Sequence, residues 1–132
     1  IIFTMFYIKI KSRFSSAHNL RNYQGKCETL HGHNWRVELI LKGNKLDTTT
    51  GMLIDFHLAK KWLGEILQKL DHCYLNEIDY FKINNPTSEH IAYYIFQQME
   101  KKLQGYQPAL KVHQVIVEET ENSAAIYEKD EQ

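Results

Sequence analysis

Two stretches of the chain alternate apolar and polar residues, which is the period of a half-buried β-strand. The first runs from Phe3 to Phe14 and continues into His18. The second carries Trp35, Val37, Leu39 and Leu41 on one face. Because Gly43-Asn44 is typical of a turn, the second strand is expected to end there. The residues at 51–54, Gly-Met-Leu-Ile, predict a short continuation after the loop.

The middle of the chain changes to helical periodicity. Asp55 is placed to cap a helix, and Pro86 suits the first turn of a second helix, which Asn85 is expected to cap and Gly105 to end. The apolar stripe of the first helix is Phe56, Ala59, Leu63, Ile66, Leu67 and Leu70. The stripe of the second is Ile91, Ile95, Met99 and Leu103.

A final pair of strands is predicted over residues 112–120 and 124–127. The order β-β-α-α-β-β separates strands from helices, which predicts an α+β fold with two helices on one face of a four-stranded antiparallel sheet. A chain of 132 residues with 43% apolar content is the right size for one domain, spanning 1–132.

Charge and hydrophobicity argue against nucleic-acid binding and membrane association. Basic and acidic residues are equal at 16 each, so nothing favours nucleic-acid binding. The apolar run from Ile1 to Ile8 is far shorter than the roughly 20 residues that span a bilayer, so no membrane partner is expected. We expect a cytoplasmic protein in which Cys27 and Cys73 are thiols.

The sequence Cys27-Glu-Thr-Leu-His31-Gly-His33 precedes the second strand. In an extended backbone His31 and His33 point to the same side and can share a metal, and His18 becomes a third ligand if the first two strands pair. Three histidines with an open position are typical of a catalytic zinc site. The alternative is a closed structural site in which Cys27 is the fourth ligand.

These residues belong to a longer series of motifs. The series is Phe14-Ser-Ser-Ala-His18, C-x-x-x-H-G-H at 27–33, Gly51-Met-Leu-Ile-Asp-Phe56, Leu70-Asp-His72 with Leu75-Asn76, Asn85-Pro-Thr-Ser-Glu89, and Val117-Glu-Glu-Thr120. In this order they resemble the 6-pyruvoyl-tetrahydropterin synthase superfamily. The short spacing from Cys27 to His31 is most similar to the bacterial 6-carboxy-5,6,7,8-tetrahydropterin synthases of queuosine biosynthesis.

The resemblance implies roles for particular residues. His18, His31 and His33 would bind Zn²⁺, and Cys27 would transfer protons with help from Asp71 and His72. Glu119, Thr87 and Ser88 would bind the pterin ring. Lys26 and Arg21, near the cysteine, are candidates for holding the triphosphate.

Two of these roles have simpler alternatives from the residues alone. Asp71-His72 also fits the turn after a helix, where a histidine meets the negative end of the dipole. Glu119 shares a strand face with Val117 and should point inward, whereas Glu118 should be solvated, although a register slip would exchange them. His57, His90, His113 and Cys73 match no site position and are expected to be surface or packing residues.

By the same resemblance, the chain converts 7,8-dihydroneopterin triphosphate to 6-carboxy-5,6,7,8-tetrahydropterin, acetaldehyde and triphosphate. It would assemble as a homo-oligomer, a hexamer of two trimers closing the sheets into barrels, with active sites between subunits. The close alternative is an enzyme that stops at the 6-pyruvoyl product. An alternative of another class is a non-catalytic, zinc-stabilised pterin-binding module.

Overall fold

Four antiparallel strands form one sheet in the order of the chain. They are β1 (Phe6–His18), β2 (His31–Gly43), β3 (Lys111–Thr120) and β4 (Ser123–Tyr127). This computed structural model describes residues 4–130, apart from the side chain of Lys26. Phe3, where the first strand was expected to begin, lies outside the described residues. The two long strands, the final pair of strands and the antiparallel α+β fold are confirmed.

The register of β1 and β2 places the apolar residues of both strands on one face. Phe14 lies opposite Trp35, and Ile10 lies opposite Leu39. Trp35 and Leu39 are fully buried because the helices cover this face. The other face is polar and carries the ion pair between Lys9 and Glu38, with Nζ and Oε1 3.2 Å apart.

The helices are α1 (Phe56–Gln68), α2 (Asp79–Ile83) and α3 (Ser88–Gln104). Asp55 caps α1 as predicted, because its Oδ1 accepts a hydrogen bond from the backbone N–H of His57. The expectation that Phe56 is buried is wrong. Its side chain is 56% exposed, since this first residue of the helix lies at the border of the core and lines a surface cleft with Met52. No helix among residues 4–130 combines the length and apolar character needed to cross a bilayer.

The strand predicted over residues 51–54 is not formed. These residues close a compact turn in which the N–H of Asp47 donates to the carbonyl of Met52 at 2.9 Å. Leu53 and Ile54 are nevertheless buried. The apolar residues of this run are therefore explained by burial of Leu53 and Ile54 in the core, and not by pairing with a strand.

The second long helix begins later than predicted. Its cap is Thr87, whose Oγ1 accepts a hydrogen bond from the N–H of His90, and Asn85 does not cap it because its carboxamide binds the backbone of Arg21. The helix ends at Gly105 as expected. The short α2 was not predicted, because five residues are too few to show a helical period.

Candidate metal centre and adjoining site

The end of β1 and the start of β2 bring three histidines together. His18 lies opposite His31 in the strand register, and His33 follows two residues later on the same face. The Nε2 atoms of His18 and His31 are 3.0 Å apart. With a carboxylate oxygen of Glu119, the donor atoms of these residues all lie within 4.8 Å of one another. The structure thus brings together the three predicted metal ligands.

Two backbone carbonyls fix the tautomers of this cluster. His18 Nδ1 lies 2.7 Å from the Pro86 oxygen, and His31 Nδ1 lies 2.6 Å from the Thr29 oxygen. Because a carbonyl only accepts hydrogen bonds, each Nδ1 carries the proton and each neutral imidazole presents a lone pair at Nε2. Two such lone pairs at 3.0 Å repel each other unless a cation lies between them.

His33 and Glu119 complete the cluster. His33 Nε2 is buried and makes no hydrogen bond, although Glu119 Oε1 approaches it to 2.8 Å. Glu119 Oε2 accepts a hydrogen bond from Ser88 Oγ at 3.2 Å. Burial lowers the pKa of both His18 and His33, which favours the neutral, metal-binding form.

The donor set fits zinc. Imidazole nitrogen is a preferred zinc ligand at about 2.0–2.1 Å, and catalytic sites use three protein ligands and keep one position for water or substrate. Among the described residues, neither Cys27 nor Cys73 belongs to the set, and its fourth member is Glu119. The geometry therefore favours a three-histidine site beside Glu119 over a closed one that includes Cys27.

Cys27 lies in a short 3₁₀ turn, Lys26–Glu28, between β1 and β2. Its carbonyl accepts a hydrogen bond from the N–H of Leu20 at 2.8 Å, and its thiol is half-buried. Both cysteines are free thiols, as predicted. No contact within the described chain joins the Cys27 thiol to Asp71 or His72.

Asp71 and His72 form a pair on the outer edge of β1. Asp71 accepts the N–H of Ser15 at Oδ1 (2.8 Å), and its Oδ2 lies 2.9 Å from His72 Nδ1. The Ser15 N–H, with the His72 contact second, lowers the pKa of Asp71. In neutral His72 the Nδ1–H points at this carboxylate, so Nε2 is the free acceptor, and the imidazole is 82% exposed. The pair lies beyond the end of α1 at Gln68, on a β1 contact rather than in the last helical turn.

His72 opens onto a cleft of about 600 Å³ at this end of the sheet. Its walls include Ala17 of β1 and Gly32 and Asn34 of β2. The cleft and the exposed imidazole provide space for a reactant or for another chain beside the metal cluster.

The remaining predicted residues divide into two groups. Ser88 touches Glu119, and Thr87 caps α3, so both lie close to the cluster. Arg21 is already engaged, since its Nη2 donates to the Phe81 carbonyl at 2.6 Å. The Lys26 side chain lies outside the described part of the structure. The prediction that these two cations hold a triphosphate therefore gains no support from the described contacts.

The carbonyls of Thr29 and Pro86, which orient His31 and His18, were not predicted from the sequence. A backbone carbonyl has no residue-type signature. The only available signal was the position of Pro86 within a motif whose polar residues were assigned to substrate binding.

Known proteins match nearly the whole of this chain. Residues 7–130 match the family model described as 6-pyruvoyl tetrahydropterin synthase. The chain belongs to this family. It is 40% identical over 127 residues to a 6-carboxy-5,6,7,8-tetrahydropterin synthase of Synechocystis sp., covering 93% of each chain. It is 35% identical over 124 residues to the 6-pyruvoyl tetrahydrobiopterin synthase of Homo sapiens, covering 90% of this chain and 81% of the human one.

A solved structure of the family extends the similarity to three dimensions. The 6-pyruvoyl tetrahydropterin synthase of Caenorhabditis elegans superposes with a TM-score of 0.84 at 27% identity, covering 96% of this chain and 97% of that one. The T-fold arrangement of the family is therefore the arrangement of this chain.

Proposed function

We propose that this chain is a zinc-dependent 6-carboxy-5,6,7,8-tetrahydropterin synthase that converts 7,8-dihydroneopterin triphosphate to 6-carboxytetrahydropterin, acetaldehyde and triphosphate. The observation that carries the proposal is the cluster of His18, His31, His33 and Glu119, whose facing lone pairs call for a cation. The 40% identity to the Synechocystis enzyme of that name supports the choice of product. From the resemblance of its motifs, we further propose that the product enters queuosine biosynthesis and that the reaction takes place in the cytoplasm.

The metal centre and the residues beside it would bind and polarise the substrate. Zinc, when bound by the three histidines, supplies positive charge that polarises a substrate oxygen. Glu119 lies beside that centre, and its carboxylate accepts the two neighbouring N–H donors of a pterin ring, as a carboxylate accepts an arginine. Ser88 holds Glu119 Oε2 in place. Thr87 stands at the same helix start and would contact the ring edge.

Proton transfer is assigned to Cys27 and to the Asp71–His72 pair. A cysteine in its thiolate form can act as the general base that such a transfer requires. His72 keeps Nε2 free to accept or return a proton, because Asp71 holds its Nδ1–H. The pair and the thiol would remove and return the protons that the side-chain rearrangement requires.

The exposure of His72 supports an oligomer. In a single chain the imidazole is 82% exposed and makes no contact with Cys27 among the described residues. β1 and β4 are the two edge strands of the sheet, and strand edges pair readily with another chain. We infer a homohexamer of two trimers in which His72 and Asp71 complete the active site of a neighbouring subunit.

The competing activity is 6-pyruvoyl-tetrahydropterin synthesis. Its support is the 35% identity to the human 6-pyruvoyl tetrahydrobiopterin synthase. Mass analysis of products from the zinc-loaded protein and 7,8-dihydroneopterin triphosphate separates the two. The expected products are 6-carboxytetrahydropterin and an equimolar amount of acetaldehyde. A 6-pyruvoyl product would move the chain to the neighbouring activity, and absence of turnover by the metal-replete oligomer would favour a pterin-binding module.

A further inference from the structure

Two asparagines of the sequence motifs, Asn76 and Asn85, have no part in the reaction as described above. Both bind the three-residue segment Asn19–Arg21, which follows His18 and leads into the loop that carries Cys27. Their contacts with this segment have the same form.

Each asparagine makes two reciprocal hydrogen bonds to one residue of the segment. The Asn19 N–H donates to Asn76 Oδ1 at 3.1 Å, and Asn76 Nδ2 donates back to the Asn19 carbonyl at 2.9 Å. The Arg21 N–H donates to Asn85 Oδ1, and Asn85 Nδ2 donates to the Arg21 carbonyl, both at 2.9 Å. A carboxamide is the side chain that offers a donor and an acceptor side by side, as a neighbouring strand does.

These contacts extend the outer edge of β1. Along that edge the Ser15 carbonyl accepts the His72 N–H at 2.6 Å, and the Ala17 N–H donates to the Cys73 carbonyl at 3.0 Å. Residues 19 and 21 continue the same every-second-residue series, with amide side chains in place of backbone. The two asparagines therefore bind the backbone for three residues beyond the end of the strand, up to the turn that begins at Arg21.

The opposite edge of the segment holds the cysteine turn. The Leu20 N–H donates to the Cys27 carbonyl at 2.8 Å, and Asn19 Nδ2 donates to the Glu28 carbonyl at 3.4 Å. The contacts of the segment therefore alternate, with the asparagines bound at residues 19 and 21 and the Cys27 backbone bound at Leu20.

Asn85 also connects this segment to the metal cluster. Its side chain holds Arg21, and the next residue, Pro86, offers the carbonyl that accepts His18 Nδ1–H at 2.7 Å. One dipeptide therefore sets the position of a metal ligand and of the segment that carries the Cys27 turn.

We propose that Asn76 and Asn85 are positioning residues that fix the Cys27 thiol relative to the three-histidine centre. The proposal deepens the function above, on which it rests for the role of Cys27. Its physical content is that paired hydrogen bonds from the two asparagines hold segment 19–21, and that this segment in turn holds the Cys27 carbonyl through the Leu20 N–H. A side chain that cannot donate to the Asn19 or Arg21 carbonyl is expected to release the turn that carries the thiol.

The test uses the zinc-loaded full chain and the isosteric variants Asn76→Asp and Asn85→Asp. A carboxylate keeps the shape but loses the donor and faces a carbonyl oxygen. Asn44→Asp, at an exposed site after β2, is the matched control for the added charge. Four readouts are compared: zinc content, thermal unfolding, kcat and KM, and the alkylation rate of Cys27 by iodoacetamide above the thiol pKa, followed by peptide mass analysis.

We expect both variants to keep their zinc and to lose about ten-fold to a hundred-fold in kcat with KM little changed, as a misplacement of about 1 Å produces. Alkylation of Cys27 should become several-fold faster than in the control, while that of Cys73 should not. Variants that match Asn44→Asp in kcat and in alkylation would overturn the proposal, as would loss of zinc in parallel with kcat. If Asn85→Asp fails to fold, Asn76→Asp decides alone. If the wild-type chain has no turnover, the alkylation rates still test whether the two asparagines position Cys27, separately from the proposed function.

Discussion

Glu119 offers the sharpest quantitative test of the substrate side of the site. Its Oε1 lies 2.8 Å from His33 Nε2, and its Oε2 accepts from Ser88 Oγ at 3.2 Å. The side chain is 27% exposed, so a charged partner bound there is partly shielded from water. The substitution Glu119→Gln keeps the shape but removes the charge and leaves only one acceptor oxygen.

The expected loss follows from the proposed contacts of a pterin ring with this carboxylate. Removing one partner of a charged hydrogen bond costs about 1–3 kcal/mol. At about 1.4 kcal/mol for each ten-fold in affinity, the pterin Kd should rise by between about five-fold and about 150-fold. Because Ser88 can still donate to the remaining carbonyl oxygen, the helix start should keep its position.

Titration of the zinc-loaded protein with a non-reacting reduced pterin measures this difference. Glu118→Gln is the matched control, since Glu118 is one residue earlier, opposite Arg36, and lines a cleft on the open face of the sheet. Its affinity should equal that of the wild type. Equal pterin affinity in Glu119→Gln, or a larger loss in Glu118→Gln, would show that the anchor is assigned to the wrong residue.

Three further outcomes are expected. Cys27→Ala should keep its zinc and lose turnover, as measured by metal analysis and a product assay on the same sample. Loss of zinc from this variant would instead show that Cys27 is a metal ligand. Thr87→Ala should lower the free energy of unfolding by about 0.5–2 kcal/mol because α3 loses its cap, whereas Thr48→Ala, at an exposed loop site, should change it little in denaturant titrations. Burial lowers the pKa of His18 and His33 in the folded state, so as the pH falls below the ordinary value of 6.5 the unfolded chain binds protons first. The thermal midpoint of the metal-free protein should therefore fall between pH 7 and pH 5, and a midpoint that rises on acidification would contradict those assignments.

The sheet and the metal cluster were the parts of the molecule most open to prediction. Alternation fixes which side each strand buries, and the pairing of β1 with β2 then places His18 beside His31 and His33. Ligand spacing in an extended backbone is a local property, and local properties can be read from one sequence.

The errors occurred where tertiary contacts override local preference. Asn85 is a good helix cap by residue type, but its carboxamide binds Arg21, so Thr87 takes the cap. Residues 51–54 have strand composition, yet they form a turn because they fill the border of the core. Neither outcome could be read from neighbouring residues, since the deciding partner lies far along the chain or in the packed core.

The spatial arrangement of Cys27, Asp71 and His72 could not be predicted from the sequence either. The motifs place all three in one series, whereas a single folded chain keeps the His72 imidazole exposed and apart from the cysteine turn. In the proposed mechanism their joint action would depend on assembly, which a pattern of residues in one chain does not contain.

The central claim is that three histidines hold zinc in an open site that excludes Cys27. X-ray absorption at the zinc edge of the purified protein tests it most directly. The account predicts only nitrogen and oxygen scatterers, at about 2.0–2.2 Å, with the multiple-scattering pattern of three imidazoles. A sulfur scatterer at about 2.3 Å that disappears in Cys27→Ala would contradict it and identify a closed structural site.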